Sequence, residues 1–120
     1  MAKLTIGTFS SLIGSLSLDF AVKLSDAALK KGHSVDLWLS GNATTLAKKD
    51  QKAFRDYSAL QKPVEEMLST GRFKMTSCEA CSEARGIHKK DMIEGVNRQS
   101  MDWYLASCFS ADRVLLIGGD

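Results

Sequence analysis

The sequence predicts a three-layer α/β/α sandwich built on a short, mostly parallel β-sheet. Two observations predict this class. Segments with strand-like patterns alternate with segments of helical periodicity, and an apolar stretch, VLLI at residues 114–117, is typical of a strand buried on both faces of a parallel sheet. A chain of 120 residues can bury one hydrophobic core, so we expect a single domain over residues 1–120.

The start of the chain predicts a strand–helix–strand unit. Residues 3–9, KLTIGTF, alternate apolar with small or polar residues and predict the first strand, which a Ser/Gly-rich turn follows. Residues 16–33 carry apolar side chains at helical spacing, with lysines near the end and Gly32 as a stop signal. A second strand is predicted at 35–39. This arrangement implies parallel pairing with a right-handed crossover.

The next segment, residues 43–62, is polar and only weakly periodic. It contains five basic residues against two acidic ones, a net charge of +3. We interpret it as a solvated connection with one or two short helical turns, in preference to a docking lid.

The second half of the chain continues the alternation. Pro63 suits the first turn of a helix over 63–71, and a third strand is predicted at 72–77. Helices are expected at 79–86 and 99–110, before the apolar final strand. One face of the last helix is predicted to consist of Met101, Tyr104, Leu105 and Cys108.

Composition excludes several classes of function. Sixteen basic against 14 acidic residues and few aromatic residues do not predict a nucleic-acid surface. No apolar run approaches the ~20 residues that span a bilayer, and the N-terminus lacks a signal-peptide pattern. Three cysteines make a poor disulfide framework. We therefore expect reduced thiols in a cytoplasmic protein with no membrane association.

The stretch TSCEACSEARGI, residues 76–87, contains the candidate catalytic residues Cys78 and Cys81. Cys78 follows a predicted strand and begins a helix, so it is expected at the carboxyl edge of the sheet, where ligands gather. The N–H groups of a helix start favour thiolate. Arg85 shares a helix face with Cys81 and is positioned to support an anionic sulfur. The alternative interpretation is that Cys78 and Cys81 are buried and inert. For the third cysteine, Cys108, we prefer this interpretation.

Metal binding and thioredoxin-like chemistry are weaker interpretations of the pair. The available zinc set is Cys78, Cys81, His88 and Cys108, but Cys108 has apolar neighbours and His88 lies beyond the helix end. We expect no metal. A thioredoxin-like dithiol needs a downstream proline loop, whereas Pro63 lies upstream of the pair. Dithiol redox chemistry in general stays open.

A flavin site is also weakly supported. The SSLIGS turn at residues 10–15 resembles a flavodoxin phosphate loop only loosely. Trp38 and Trp103 fall within predicted secondary structure and not on loops. FMN therefore stays a minor alternative, and we expect no cofactor.

Together, Cys78, Cys81 and the following Ala-Arg-Gly-Ile of residues 84–87 resemble the DsrE/DsrF-like family, which includes the TusD and YchN-like sulfur-relay proteins. The opening strand and the closing SADRVLLIGG fit the same pattern. The resemblance implies a flavodoxin-like fold without flavin, assembly as a homotrimer or hexamer, and transfer of sulfane sulfur in sulfur oxidation or tRNA thiolation. It places the working cysteine at Cys78.

The implied function is that of a sulfurtransferase-like persulfide carrier with sulfur donor and acceptor proteins as partners. Cys78 is expected to hold the sulfur, Cys81 to relay it or release it as sulfide, and Arg85 to stabilise anionic forms. Ser10 and Asn42, in turns after the first two strands, are expected to line the site. A non-catalytic partner-binding subunit of a hetero-oligomer and a Cys-x-x-Cys dithiol redox protein are the alternatives.

Two further expectations concern reactivity and assembly. We predict that Cys78 is the most reactive thiol, because of its place at the helix start. The last helix carries the aromatic residues Trp103, Tyr104 and Phe109 beside Met101, Leu105 and Cys108, which is more apolar surface than one small sheet requires. This surplus predicts a symmetric oligomer.

Overall fold

The centre of the molecule is a five-stranded sheet in the order β4-β3-β2-β1-β5, in which every pairing is parallel. The computed structural model describes residues 1–13, 15–55 and 59–118. The strands are β1 (Lys3–Thr8), β2 (Ser34–Leu39), β3 (Phe73–Cys78), β4 (Asn97–Gln99) and β5 (Arg113–Ile117). The helices are α1 (Ser17–Lys30), α2 (Gln61–Leu68), α3 (Glu79–Ala84) and α4 (Met101–Ser110), with 3-10 helices at Gly41–Ala47 and Lys89–Asp91.

The strand order distributes the helices over both faces of the sheet. From β1 to β4 the chain advances in one direction, and α1 packs against α2, β1 and β2. After β4 the chain returns across the sheet to pair β5 with the other side of β1. Since parallel crossovers are right-handed, this reversal places α4 on the face opposite to α1 and α2. The predicted three-layer α/β/α sandwich is confirmed.

The larger hydrophobic core lies between the sheet and the face that carries α1 and α2. The buried side chains of α1 recur every three or four residues, as expected for an amphipathic helix. This core also includes the 3-10 helix after β2. Its fully buried large residues include Ile6, Leu18, Leu37, Leu39, Leu46, Met75 and Val64.

The opposite face of the sheet is covered by α4 through a smaller aromatic cluster. Trp38 of β2 is fully buried and stacks with Trp103 and Tyr104, at ring-centroid distances of 6.1 and 5.5 Å. Gly7 of β1 makes room for this layer, because a Cβ atom there would lie 2.4 Å from the Tyr104 hydroxyl oxygen. The cluster also contains Cys78. The candidate cysteine therefore belongs to the α4 face of the sheet.

Polar contacts fasten the end of α4 to the same face. Ser107 is buried, and its hydroxyl donates to the Asp36 carboxylate at 2.7 Å. The same carboxylate forms an ion pair with Lys3 at 3.0 Å. The Thr5 hydroxyl lies 2.7 Å from that of Ser107. These bonds satisfy the side chains of Thr5, Asp36 and Ser107 and fix the position of the helix.

The final strand departs from the sequence prediction. We expected it to be buried on both faces, but β5 is an edge strand and four of its five residues are exposed. Leu116 is 66% exposed. The predicted apolar face of α4 is also only partly covered, because Met101 and Leu105 are about half exposed while Tyr104 is buried. The sequence pattern does not distinguish a strand buried within the chain from an apolar strand at an open edge.

The prediction for residues 43–62 is wrong at its start. The first five residues belong to the 3-10 helix, and Ala43, Thr44, Leu46 and Ala47 are buried in the main core. The polar stretch begins only at Lys48, and residues 56–58 lie outside the described part of the chain.

The sequence analysis also missed β4, a strand of three residues that pairs with the end of β3. Within the described residues, no helix is long and apolar enough to cross a membrane.

Candidate functional site

The cysteine pair lies where β3 passes into α3. Cys78 is the last residue of β3 and adopts an extended conformation at the N-cap, and α3 begins at Glu79. Helix α3 ends after one and a half turns in a Schellman motif. The N–H of Ile87 donates to the Ser82 carbonyl at 2.9 Å, that of Gly86 donates to Glu83 at 3.1 Å, and Gly86 has a φ of +69°. The Arg-Gly-Ile sequence thus stops the helix and leaves Arg85 at its C-cap.

The Cys78 side chain is directed into the aromatic cluster. Successive side chains of a strand alternate between faces, so Cys78 shares its face with Thr76, while Ser77 faces the main core. Cys78 is 7% exposed and packs with Trp38 and Tyr104. Burial raises the pKa of its thiol, and the backbone N–H groups of α3 only partly oppose this effect. The Cys81 side chain raises this pKa further, so the Cys78 thiol stays protonated more readily than an ordinary cysteine.

Cys81 is more accessible and has a different electrostatic environment. Burial raises the pKa of its thiol, but the opposing interactions are stronger together, and the pKa is lowered. These interactions come from the Cys78 thiol, the Gly41 backbone, the Ser40 hydroxyl and, most weakly, the Arg85 charge. The 3-10 helix after β2 contacts α3, and two of these groups come from its first residue, Gly41, and from Ser40 at its N-cap. When the pair loses one proton, the negative charge therefore lies on Cys81.

The location of the negative charge on Cys81 differs from the expectation that the helix start favours a thiolate at Cys78. The helix N–H groups do act on Cys78, but its burial in the aromatic cluster outweighs them. Because the two thiols interact directly, the pair titrates as a unit, with Cys81 as the site of the first negative charge.

Arg85 and Asn42, both assigned to the site from the sequence, lie in contact with each other. The Arg85 Nε donates to Asn42 Oδ1 at 3.1 Å, and its Nη1 donates to the Cys81 carbonyl at 3.0 Å. These bonds tie α3 to the 3-10 helix. Ser10 is buried, but it lies against the start of α1: a Cβ on Gly118 would stand 2.6 Å from its hydroxyl and 3.1 Å from Ser17.

The remaining metal-ligand candidates have other contacts. Cys108 is half-buried beside the aromatic cluster and interacts with the Tyr104 hydroxyl. His88 caps a 3-10 helix together with Asp91 and pairs with Glu83 at 3.5 Å. In the described ranges, no three His, Cys, Asp or Glu side chains are grouped closely enough to hold a metal ion.

Sequence reasoning missed four residues that surround the thiols: Trp38, Ser40, Gly41 and Tyr104. The signal for Ser40 and Gly41 was present, since both follow a strand whose carboxyl end was expected at the same edge. For Trp38 and Tyr104 the signal was ambiguous, because aromatic residues in a strand and a helix are typical of any core.

Comparison with known proteins agrees with this architecture. A profile of the DsrE/DsrF-like family matches residues 3–116. Protein YchN of Escherichia coli strain K12 is 28% identical over 117 residues, which cover 96% of this chain and 98% of YchN. The crystal structure of YchN from E. coli superposes with a TM-score of 0.86 at 27% identity, covering 97% of this chain and 99% of that one.

A more distant solved structure supports the fold alone. The protein of unknown function MTH1491 from Methanobacterium thermoautotrophicum has a TM-score of 0.76 at 10% identity, and the match covers 96% of this chain and 99% of that one. The family profile spans nearly all of the sheet, the Cys-x-x-Cys segment and the Arg-Gly-Ile helix end. The chain therefore belongs to the DsrE/DsrF-like family.

Proposed function

We propose that this protein carries sulfane sulfur as a persulfide on Cys78 and passes it to a cysteine of a partner protein. Membership of the family supports a role of the sulfur-relay type at the level of the family. The observation that carries the finer proposal is the pair of interacting thiols, one buried and one stabilised as a thiolate, at the carboxyl edge of a parallel sheet.

The first step is a proton transfer within the pair. The Cys81 thiolate accepts the proton of the Cys78 thiol, which produces a Cys78 thiolate and a Cys81 thiol. Direct interaction of the two groups supports this exchange. Arg85, whose charge favours an anionic Cys81, lowers the cost of holding one negative charge on the pair before a donor arrives.

Sulfur then moves by thiol exchange. The Cys78 thiolate attacks the outer sulfur of the donor persulfide, a new S–S bond forms, and the donor cysteine leaves as a thiolate. The acceptor thiolate later attacks the outer sulfur on Cys78, which leaves as a thiolate in turn. No net oxidation occurs in either transfer.

Cys81 provides a release reaction when no acceptor binds. Its thiolate attacks the inner sulfur of the Cys78 persulfide, closes a Cys78–Cys81 disulfide and expels the outer sulfur as HS⁻. The disulfide then requires a reducing thiol before the next cycle. A Cys81→Ser variant is expected to hold the persulfide longer than the native protein does.

The protein is further proposed to work as a homotrimer or hexamer. An apolar surface formed by α4 and β5 remains exposed, and its exposed residues are Met101, Leu105, Phe109, Val114 and Leu116. Phe109 is 91% exposed, which is unusual for a large apolar side chain in a monomer. Light scattering after gel filtration tests this: a mass three or six times 13.1 kDa supports the proposed assembly, and a species of 13.1 kDa at micromolar concentration refutes it. Phe109→Asp is expected to weaken assembly.

The carrier function is tested by loading reduced protein with polysulfide and measuring its intact mass. We expect one increment of about 32 Da, located on Cys78 by peptide mapping after alkylation of the persulfide. Cys78→Ser should abolish this increment, whereas Cys108→Ser, the matched control at a third cysteine, should retain it.

Two outcomes would contradict the proposal. A persulfide found on Cys108, or formed to the same extent in the Cys78→Ser variant, would show that the proposal places the sulfur on the wrong residue. Loss of two protons in the native protein, combined with no sulfur increment in the Cys81→Ser variant, would show that the pair forms a disulfide without carrying sulfur, which is the behaviour of a dithiol redox protein.

A further inference from the structure

Among the residues that the structure describes, two buried polar groups on the α4 face of the sheet have no hydrogen-bond partner. They are the indole Nε1 of Trp38 and the hydroxyl of Thr76, and both side chains are fully buried. A buried polar group without a partner is unfavourable, because it has lost its hydrogen bonds to water and gained none in the protein. A third unpartnered atom in the described residues, Nε of Arg98, belongs to a guanidinium that already pairs with Glu83 through Nη2. The Trp38 and Thr76 groups therefore require an explanation of their own.

The two groups are neighbours, and both adjoin Cys78. Trp38 of β2 and Thr76 of β3 are direct register partners, so their side chains leave the sheet side by side on the same face. Cys78 is the next residue of β3 on that face and packs in one cluster with Trp38. Stacking against Trp103 and Tyr104 fixes the plane of the Trp38 ring.

We infer that the Trp38 indole N–H and the Thr76 hydroxyl donate hydrogen bonds to the outer sulfur of a persulfide on Cys78. This inference rests on the proposed carrier function and assigns a positioning role to two residues outside the Cys-x-x-Cys segment. An S–S bond places the outer sulfur about 2 Å beyond the Cys78 Sγ. Because the Cys78 side chain already packs in the cluster that contains Trp38, we place the outer sulfur within that cluster.

The chemistry of the donors suits a persulfide better than a thiol. An indole N–H can only donate, and a thiol is a weak acceptor. A terminal persulfide sulfur is anionic, and a buried anion is stable only where hydrogen-bond donors replace water. Preorganised donors beneath α4 would hold the sulfur away from solvent until an acceptor approaches Cys78.

Nuclear magnetic resonance of the indole groups tests the inference in the native protein. The chain has two tryptophans, so nitrogen-15 labelling gives two indole N–H signals, and Trp38→Phe identifies which is which. When loading on Cys78 has been confirmed by mass, we expect the Trp38 signal to move downfield. Trp103, which stacks in the same cluster, is the internal control and should move much less.

Variants of Thr76 provide a second readout. Thr76→Val keeps the side-chain shape but removes the hydroxyl, and Thr76→Ser restores it. We expect the pH midpoint for alkylation of the loaded persulfide to rise by about one unit in Thr76→Val, since one hydrogen bond to an anion contributes about that much. Thr76→Ser should return towards the native midpoint.

A matched control separates this effect from a general loss of packing. Thr5→Val removes another buried threonine hydroxyl from the α4 side of the sheet, but this hydroxyl is already bonded to Ser107. It should lower stability and leave the persulfide midpoint unchanged. If the pH midpoint for alkylation of the persulfide rose equally in Thr5→Val and Thr76→Val, the effect would come from lost packing. That result would overturn the role of Thr76 as a hydrogen-bond donor.

The result also separates the two levels of the proposal. If the native protein forms the persulfide on Cys78 and the Trp38 signal stays in place, this inference is wrong and the carrier function stands. If no persulfide forms on Cys78 under any loading condition, the carrier function fails, and the assignment of the two donors fails with it.

Discussion

Replacing Cys78 by alanine should make Cys81 a weaker acid, and this change tests the origin of the negative charge on the pair. Burial raises the pKa of Cys81, and the pKa is nonetheless lowered because other groups stabilise its thiolate. The Cys78 thiol makes the largest of these opposing contributions, ahead of Gly41, Ser40 and Arg85. Cys78→Ala removes it, while Cys78→Ser leaves a hydroxyl donor in the same place.

The magnitude follows from the strength of one exposed, charge-assisted hydrogen bond. A thiol is a weak donor and Cys81 is partly open to solvent, so the contribution is about 1 kcal/mol, below the usual range for bonds to charged groups. That corresponds to about a fivefold lower thiolate fraction at neutral pH. A more basic thiolate is also a better nucleophile, which offsets about half of the effect on a logarithmic scale. The net loss in alkylation rate is about twofold.

The assay is alkylation of Cys81 as a function of pH, with the modified site identified by peptide mapping. The midpoint of the profile should move to higher pH in Cys78→Ala and stay near its native position in Cys78→Ser. Cys108 is labelled in the same samples and supplies the internal reference. An unchanged or lower midpoint for Cys81 in Cys78→Ala would refute the idea that Cys78 stabilises its thiolate.

Three further predictions concern the surroundings of the pair. Arg85→Gln should raise the pKa of Cys81 by less than Cys78→Ala does, because its charge is the weakest of the opposing influences; a larger shift in the same alkylation assay would reverse that ranking. Gly7→Ala should destabilise the fold by about 1–3 kcal/mol in urea unfolding, because its Cβ would lie 2.4 Å from the Tyr104 hydroxyl. Tyr104→Phe should restore part of that loss, and full additivity of the two changes would argue against the contact. Burial raises the pKa of Tyr104 to about 12, so ultraviolet titration of native protein and Tyr104→Phe should coincide up to about pH 10, the ordinary tyrosine midpoint.

The sequence predicted the elements that depend on local pattern. The helix over Ser17–Lys30 and the strands beside it were expected within a few residues, because apolar periodicity and the glycine stop at Gly32 are local signals. The Cys-x-x-Cys segment was likewise placed at a strand end. The resemblance to the family rested on the same local features and is confirmed by the match over residues 3–116.

Features that depend on the order of strands were beyond the sequence. Residues 113–117 were assigned correctly to a strand, but their exposure follows from a position at the edge of the sheet, which no local pattern encodes. The charge distribution over the cysteines is a similar case. It depends on the burial of Cys78 under α4 and on Ser40 and Gly41 near Cys81, groups far apart in the chain.

The alternation of side chains along β3 constrains how this site can change. Cys78 reaches the aromatic layer because it stands two residues after Thr76, in phase with the side chains beneath α4. A one-residue deletion or insertion between Thr76 and Cys78 would turn the thiol towards the α1 and α2 face, where Ser77 now bonds to Ser82. Only insertions or deletions of an even number of residues at this point therefore keep the thiol directed towards the aromatic layer. Ser100, the one residue between β4 and α4, lies outside this strand, and length changes there do not follow this rule.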